Sequence, residues 1–354
     1  MLVHPNVLRL LSGPGRRWVS QSHGLVALHS CCTQYAIPQE NVMNVFDRQA
    51  KLFQRERAAQ NPKVDDFDFL KEEIGYRLAD RVLDIKREMN VCVDIGSGRG
   101  FVTRHLTGHS IKKLFAIEMS PGMLNNCVLP RPEEGIVSEK ILLNEDDAGL
   151  PFEDNSVDVV TSSLSMHWVN NLPGLFKEVN RILKKDGVFI GSMFGGETLF
   201  ELRCSLQLAE LERDGGLSSH ISPFVEVQDL GNLLNRCQFR MLTIDSDEIK
   251  VAFPSIFELM RDLKGMAENN ASWTRKLHLK RDTLISTAAI YKELYRNQDD
   301  TIPATFQIFY WIGWKPDASQ PTPLSPQKSE ISLKDLPNLD EALQKRDKDG
   351  DKES

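Results

Sequence analysis

The sequence predicts an α/β protein with a doubly wound, mostly parallel sheet of seven strands. Three observations carry this. Short apolar runs alternate with helical patterns from Val91 onward. Runs such as Val91-Cys92-Val93 and Val157-Asp158-Val159-Val160 suit strands buried on both faces. The first of these strands ends in Asp94 and a glycine-rich turn, where sheets of this kind bind ligands.

Residues 1–36 read as a leader. No Asp or Glu occurs before Glu40, while Arg9, Arg16 and Arg17 stand among Ser, Leu and Val. That composition fits a mitochondrial transit peptide, drawn toward the negative side of a polarised membrane. Residues 41–90 hold two helices. One spans 44–59, with Val45, Gln49, Leu52 and Phe53 at helical spacing, and ends at Asn61-Pro62. The other spans 69–87, with Leu70, Ile74, Leu78, Val82 and Ile85 on one stripe.

Residues 91–253 form the core. Strands are expected over 91–95, 113–118, 140–143, 157–163 and 187–193. Helices are expected from the glycine turn to about 106, from Pro121, over 172–183 and over 196–211. A helix over 227–237 then leads to a late edge strand over 240–253. Residues 254–303 supply two helices, 254–268 and 282–296, as a cap over the open side of the cleft. The cap is inserted before the last strand, 304–314, which pairs with the late edge strand. Residues 315–354, rich in Pro, Ser, Lys and Asp without hydrophobic period, read as a disordered tail.

The net charge of -7 gives no reason to expect nucleic acid as a partner. No apolar run approaches the length of a membrane span. Cys31, Cys32, Cys92, Cys127, Cys204 and Cys237 form no C-x-x-C pair, which argues against a disulfide framework or a zinc site.

The segment Asp94-Ile95-Gly96-Ser97-Gly98-Arg99-Gly100 is the strongest signal. Its glycines let the backbone turn and approach a ligand closely. A dinucleotide fingerprint, G-x-G-x-x-G, would need its third glycine where Phe101 stands. A carboxylate beside the turn instead suits the cationic amino-acid end of S-adenosylmethionine (SAM). Glu118, ending the second strand, suits ribose hydroxyls, and Met119 the adenine ring. Asp146 and Asp147 after the third strand suit the adenine amino group, Asp146 ahead of Asp147. Ser163 lines the same pocket from the fourth strand. An acid at the second strand fits NAD as well; the three pieces in order favour SAM.

These three pieces resemble the class I SAM-dependent methyltransferase superfamily over about residues 70–250. Phe46-Asp47-Arg48-Gln49-Ala50, Leu164-Ser165-Met166-His167-Trp168, Arg261-Asp262-Leu263-Lys264-Gly265 and Ile302-Pro303-Ala304-Thr305-Phe306 are similar to the bacterial malonyl-carrier-protein methyltransferases of biotin synthesis. With the leader, the chain resembles mitochondrial complex I assembly factors of this fold that hydroxylate arginine. That resemblance implies the matrix face of the inner membrane, with an iron–sulfur subunit of complex I and other assembly factors as partners.

The residues themselves name no oxidant for hydroxylation. An unactivated C–H bond requires a metal or flavin centre. No His here begins the H-x-D or H-x-E pair of common iron sites, and His105 and His109 read as exposed. His167 and Trp168 face the substrate side, either as a packing lid or as functional groups. Glu197 and Glu201 share a helix face and could receive an arginine, or form a solvated face. The run 275–281 is the densest basic patch, suited to an acidic partner or lipid headgroups, or to a solvated turn. Methyl transfer to a carboxylate needs only positioning, so a carboxyl O-methyltransferase stands as an alternative. A chaperone with structural SAM is another.

Overall fold

The computed structural model describes residues 25–26, 43–109, 111–146 and 149–321. The chain divides into two units, 1–316 and 317–354. In the second, Ser319 N donates to Asp317 Oδ1 at 2.9 Å. The leader, apart from residues 25–26, and the tail beyond 321 lie outside the described residues.

One sheet organises the first unit. Its strands are β1 (Leu25–Val26), β2 (Val91–Ile95), β3 (Lys113–Glu118), β4 (Val137–Leu142), β5 (Val157–Ser163), β6 (Leu183–Phe194), β7 (Arg240–Phe253) and β8 (Ile302–Trp314), in the order β1-β4-β3-β2-β5-β6-β8-β7. All pairings are parallel except those of β8, which runs antiparallel to both β6 and β7. The seven expected strands are therefore joined by a two-residue edge pairing, Leu25–Val26 on β4. The order reverses at β2, which lies between β3 and β5, so a crevice opens where Asp94 ends its strand.

Both faces are covered. On one, Leu70, Ile74, Leu78 and Val82 of α2 (Phe69–Leu83) pack with Leu202 and Leu206 of the helix that follows β6. On the other, Leu175, Phe176, Val179 and Ile182 of the Leu172–Ile182 helix pack with Leu230 and Leu234. This is why the central strands read as continuous apolar runs.

The remaining helices are α1 (Arg48–Ala59), α3 (Pro121–Asn125), α4 (Leu172–Ile182), α5 (Phe200–Arg213), α6 (Val227–Arg236), α7 (Ile256–Gly265) and α8 (Arg281–Tyr295). Several differ from expectation. No α-helix follows β2; Gly96, Gly98 and Gly100 take φ of +69°, +55° and +83°, and only a 3-10 turn, Thr103–His105, forms beyond them. Leu199 at φ +56° starts α5 later than expected. The expected stripe on α1 is not its buried face: Phe53 is 71% exposed, and Lys51, Gln54, Arg55 and Ala58 point inward. The cap helices part company. α7 lies near α1, whereas α8 packs along α5. Lys315 is no tail residue, since its Nζ donates to Asn155 Oδ1 and to the carbonyls of Asn180 and Leu183.

Candidate functional site

The site begins at the end of β2. Asp94 is buried, and its Oδ1 accepts from Thr161 Oγ1 at 2.8 Å. Its Oδ2 is buried without a partner. Burial pushes the Asp94 carboxyl up to about 7; the Thr161 bond opposes this and nearby Glu118 reinforces it. The turn that follows is tight enough to demand glycine at position 96. A Cβ there would lie 2.0 Å from Ser165 Oγ. Ser97 N donates to Ile117 O at 2.9 Å, which ties the turn to β3. Ser97 Oγ is buried and unpartnered.

Glu118 is fully buried at the end of β3. Its Oε2 accepts from Gly98 N at 3.0 Å, and its Oε1 from Ser120 N at 3.0 Å and from Arg55 Nη1 at 2.8 Å. Arg55 Nη2 donates to Ser165 Oγ at 2.9 Å. Burial works against the Arg55 charge, but Glu118, Glu145 and Glu268 together raise its pKa above the ordinary arginine value. Met119 is buried beside Glu118.

Asp146 is already engaged. Its Oδ1 accepts from Asn171 N and its Oδ2 from Asn170 N and Nδ2, so the structure gives it a loop-tying role. Its neighbour Glu145 is the buried acid here, paired at 2.8 Å with Arg48, whose Nη2 also reaches Asn144 and whose Nη1 donates to Trp168 O. Burial would raise the Glu145 pKa, but Arg48 and Arg55 hold it below the ordinary value. Asp147 lies outside the described residues. Ser163 Oγ stands 3.4 Å from Ser192 Oγ at the end of β5.

His167 and Trp168 lie on a buried 3-10 turn, Met166–Trp168. Trp168 Nε1 donates to Glu268 Oε2 at 2.9 Å, and Phe46 meets the indole edge-on. Lys51 Nζ lies 3.3 Å from the centroid of the Trp168 ring and donates to Ala267 O and Asn269 O. Glu268 also pairs with Lys71 at 2.7 Å. Burial opposes the Glu268 charge, yet Lys71, His167 and Lys51 hold its carboxyl well below the usual carboxylate range. Burial lowers the His167 pKa, and its Nδ1 is buried without a partner.

Two further expectations are corrected. Glu197 is exposed on the turn before α5 and does not share a helix face with Glu201. Glu201 is buried and accepts from Thr305 N and Oγ1, so it cannot receive an arginine. The basic run is internally neutralised, with Arg275 on Asp47, Lys276 on Glu210 and Asp214, and Lys280 on Asp214. His105, half-buried, bonds Glu72 at 2.9 Å. Among the described residues, no group of three or more His, Cys, Asp or Glu could hold a metal ion.

Sequence reasoning missed Arg48, Lys51, Arg55, Glu145 and Glu268. The α1 cations had a signal, the spacing 48, 51, 55 on one helix face, but charges at helical spacing read as solvated. Glu268 had none, because nothing local links it to Trp168.

The sheet order and the glycine turn at the switch point define a methyltransferase-fold protein, and the methyltransferase domain family matches residues 93–191. That fold class implies SAM binding. The chain is 50% identical over 301 residues to "Arginine-hydroxylase NDUFAF5, mitochondrial" of Mus musculus, covering 85% of this chain and 86% of that protein. The Homo sapiens protein of the same name is 48% identical over the same length. Malonyl-[acyl-carrier protein] O-methyltransferase of Nitrosospira multiformis is 31% identical over 275 residues, 74% of this chain and 87% of that one. The chain belongs to the mitochondrial arginine-hydroxylase NDUFAF5 family.

Proposed function

We propose that this chain is a mitochondrial protein-arginine hydroxylase that binds SAM at the ends of β2 and β3. The observation that carries the activity is 50% identity to an arginine-hydroxylase across 85% of the chain. The leader and the chain's resemblance to complex I assembly factors extend the reading to an arginine of an iron–sulfur subunit of complex I. They also extend it to the matrix face of the inner membrane and to other assembly factors as partners. Residues 1–36 act as the import leader. No described helix is long and apolar enough to cross a membrane, which fits peripheral contact.

The cofactor end of the site supports this reading. A buried carboxylate with one unpartnered oxygen suits an ammonium group, and Asp94 offers it. Ser97 Oγ adds a free polar atom beside it. Glu118 suits ribose hydroxyls once Arg55 yields. SAM supplies a sulfonium and an adenosyl group there. Hydroxylation needs an oxidant in addition, which these residues do not supply. Their part is to bind and orient the cofactor.

Methyl transfer is the second reading, favoured by the 31% identity to a malonyl-carrier O-methyltransferase. Intact-mass analysis of the iron–sulfur subunit, from cells with and without this protein, separates the two. Hydroxylation predicts loss of one oxygen mass from the subunit when the protein is absent; methyl transfer to a small or carrier-bound acid leaves the subunit mass unchanged. An unchanged subunit mass contradicts hydroxylation.

A further inference from the structure

We infer that α1 is a cationic lid over the cleft, and that cofactor binding at Glu118 lifts it to open a seat for the substrate's guanidinium. The inference rests on the SAM reading above.

Arg48, Lys51 and Arg55 lie at i, i+3 and i+7, so one face of α1 carries all three. Each meets a different part of the cleft: the acidic loop at Glu145, the Trp168 indole and the Glu118 carboxylate. Of the buried residues on α1, only Ala58 is apolar. Buried ion pairs add little net stability compared with apolar packing. Ion pairs from Arg48 and Arg55 and hydrogen bonds at Lys51, Gln54 and Glu56 hold α1, with little apolar surface buried, and such a helix is suited to come away, as lids are.

The ribose acid cannot hold Arg55 and both ribose hydroxyls at once. With Arg55 and Ser120 N on Oε1 and Gly98 N on Oε2, fully buried Glu118 has no room for two hydroxyls. Cofactor and Arg55 therefore compete for it, and binding shifts the chain toward the lifted state.

Lys51 marks the second seat. An indole face, the carbonyls of Ala267 and Asn269, and the Glu268 carboxylate nearby form a set that recognises a cation. Burial pushes the Lys51 ammonium well below the usual lysine range. A guanidinium keeps its charge under the same burial, so arginine is the better occupant. His167, 5% exposed, borders this region, its Nε2 3.5 Å from Glu268 Oε2 and its ring 5.1 Å from Trp168. Lys51 and Arg55 are one turn apart on one helix, so withdrawing Arg55 withdraws Lys51. Cofactor and arginine binding are thereby coupled.

The test is calorimetric titration of the full chain with a blocked arginine peptide, without SAM and at saturating SAM. Wild type should bind the peptide about tenfold more tightly with SAM. Lys51→Met should bind it equally with and without SAM. Arg55→Met should bind SAM about tenfold more tightly than wild type, because the closed state no longer competes. If Lys51→Met fails to fold, Arg55→Met decides, and an unchanged SAM affinity overturns the lid. SAM binding with no effect on peptide affinity overturns the lid and leaves the cofactor reading intact. No SAM binding by wild type or Arg55→Met overturns both.

Discussion

Asp94 concentrates the chemistry of the cleft. Its folded pKa of about 7 lies above the ordinary value of 3.8, because burial penalises the charged form. Between those values the folded chain binds more protons than the unfolded one. Stability from this group is therefore full below pH 4 and declines as pH rises to 7, by about 4 kcal/mol in all. Asp94→Asn should remove that slope, read as the urea midpoint against pH; an unaltered slope contradicts the assignment. SAM, whose ammonium needs the ionised carboxylate, should bind more weakly below pH 7 in wild type only. Glu201 is a different kind of acid. Its buried carboxylate serves Thr305 N and Oγ1, so Glu201→Ala should destabilise the chain by about 2–4 kcal/mol in denaturant titration without changing SAM affinity. A chaperone that uses SAM only structurally would instead lose folding and partner binding together in Asp94→Asn.

At the scale of elements, the glycine turn and α1 carry opposite lessons. The turn was legible because its signal is local: glycines alternating after a strand that ends in an acid. Gly96 has φ +69° and meets Ser165 where a Cβ would go, so Gly96→Ala should cost about 2–4 kcal/mol by chemical denaturation. A cost near zero would mean that the turn relaxes freely. What the sequence could not give was the absence of a helix after it, since three left-handed glycines in succession outweigh the helical pattern of the residues that follow. The α1 helix was legible as a helix but misread in orientation. Helical spacing pointed to Val45, Gln49, Leu52 and Phe53, while the buried face is chosen by distant acids and carbonyls at Glu118, Glu145 and Ala267. The partners of a charge are set by tertiary contact, which periodicity does not encode. The same reason explains Asp146, engaged by Asn170 and Asn171, while Glu145 takes the shorter of the two pairings with Arg48.

For the whole molecule, the doubly wound, mostly parallel sheet was readable from the alternation of buried runs with helices. The late antiparallel pair, β7 with β8, was readable from two long strands flanking two helices. The packing of α8 on α5 was not, because which helix a face meets is set by tertiary contact. Removal of residues 1–36 should abolish mitochondrial import in cells yet leave SAM affinity unchanged, since among the described residues the two-residue β1 pairing is all that is lost from the sheet. Import of the shortened chain, followed by fractionation, would contradict the leader assignment. The most direct measurement is calorimetric titration of the leaderless protein with SAM and, separately, with NAD. One SAM per chain, lost in Asp94→Asn, with no NAD binding is the expected result; NAD binding, or SAM affinity indifferent to Asp94, would contradict a SAM site at the ends of β2 and β3.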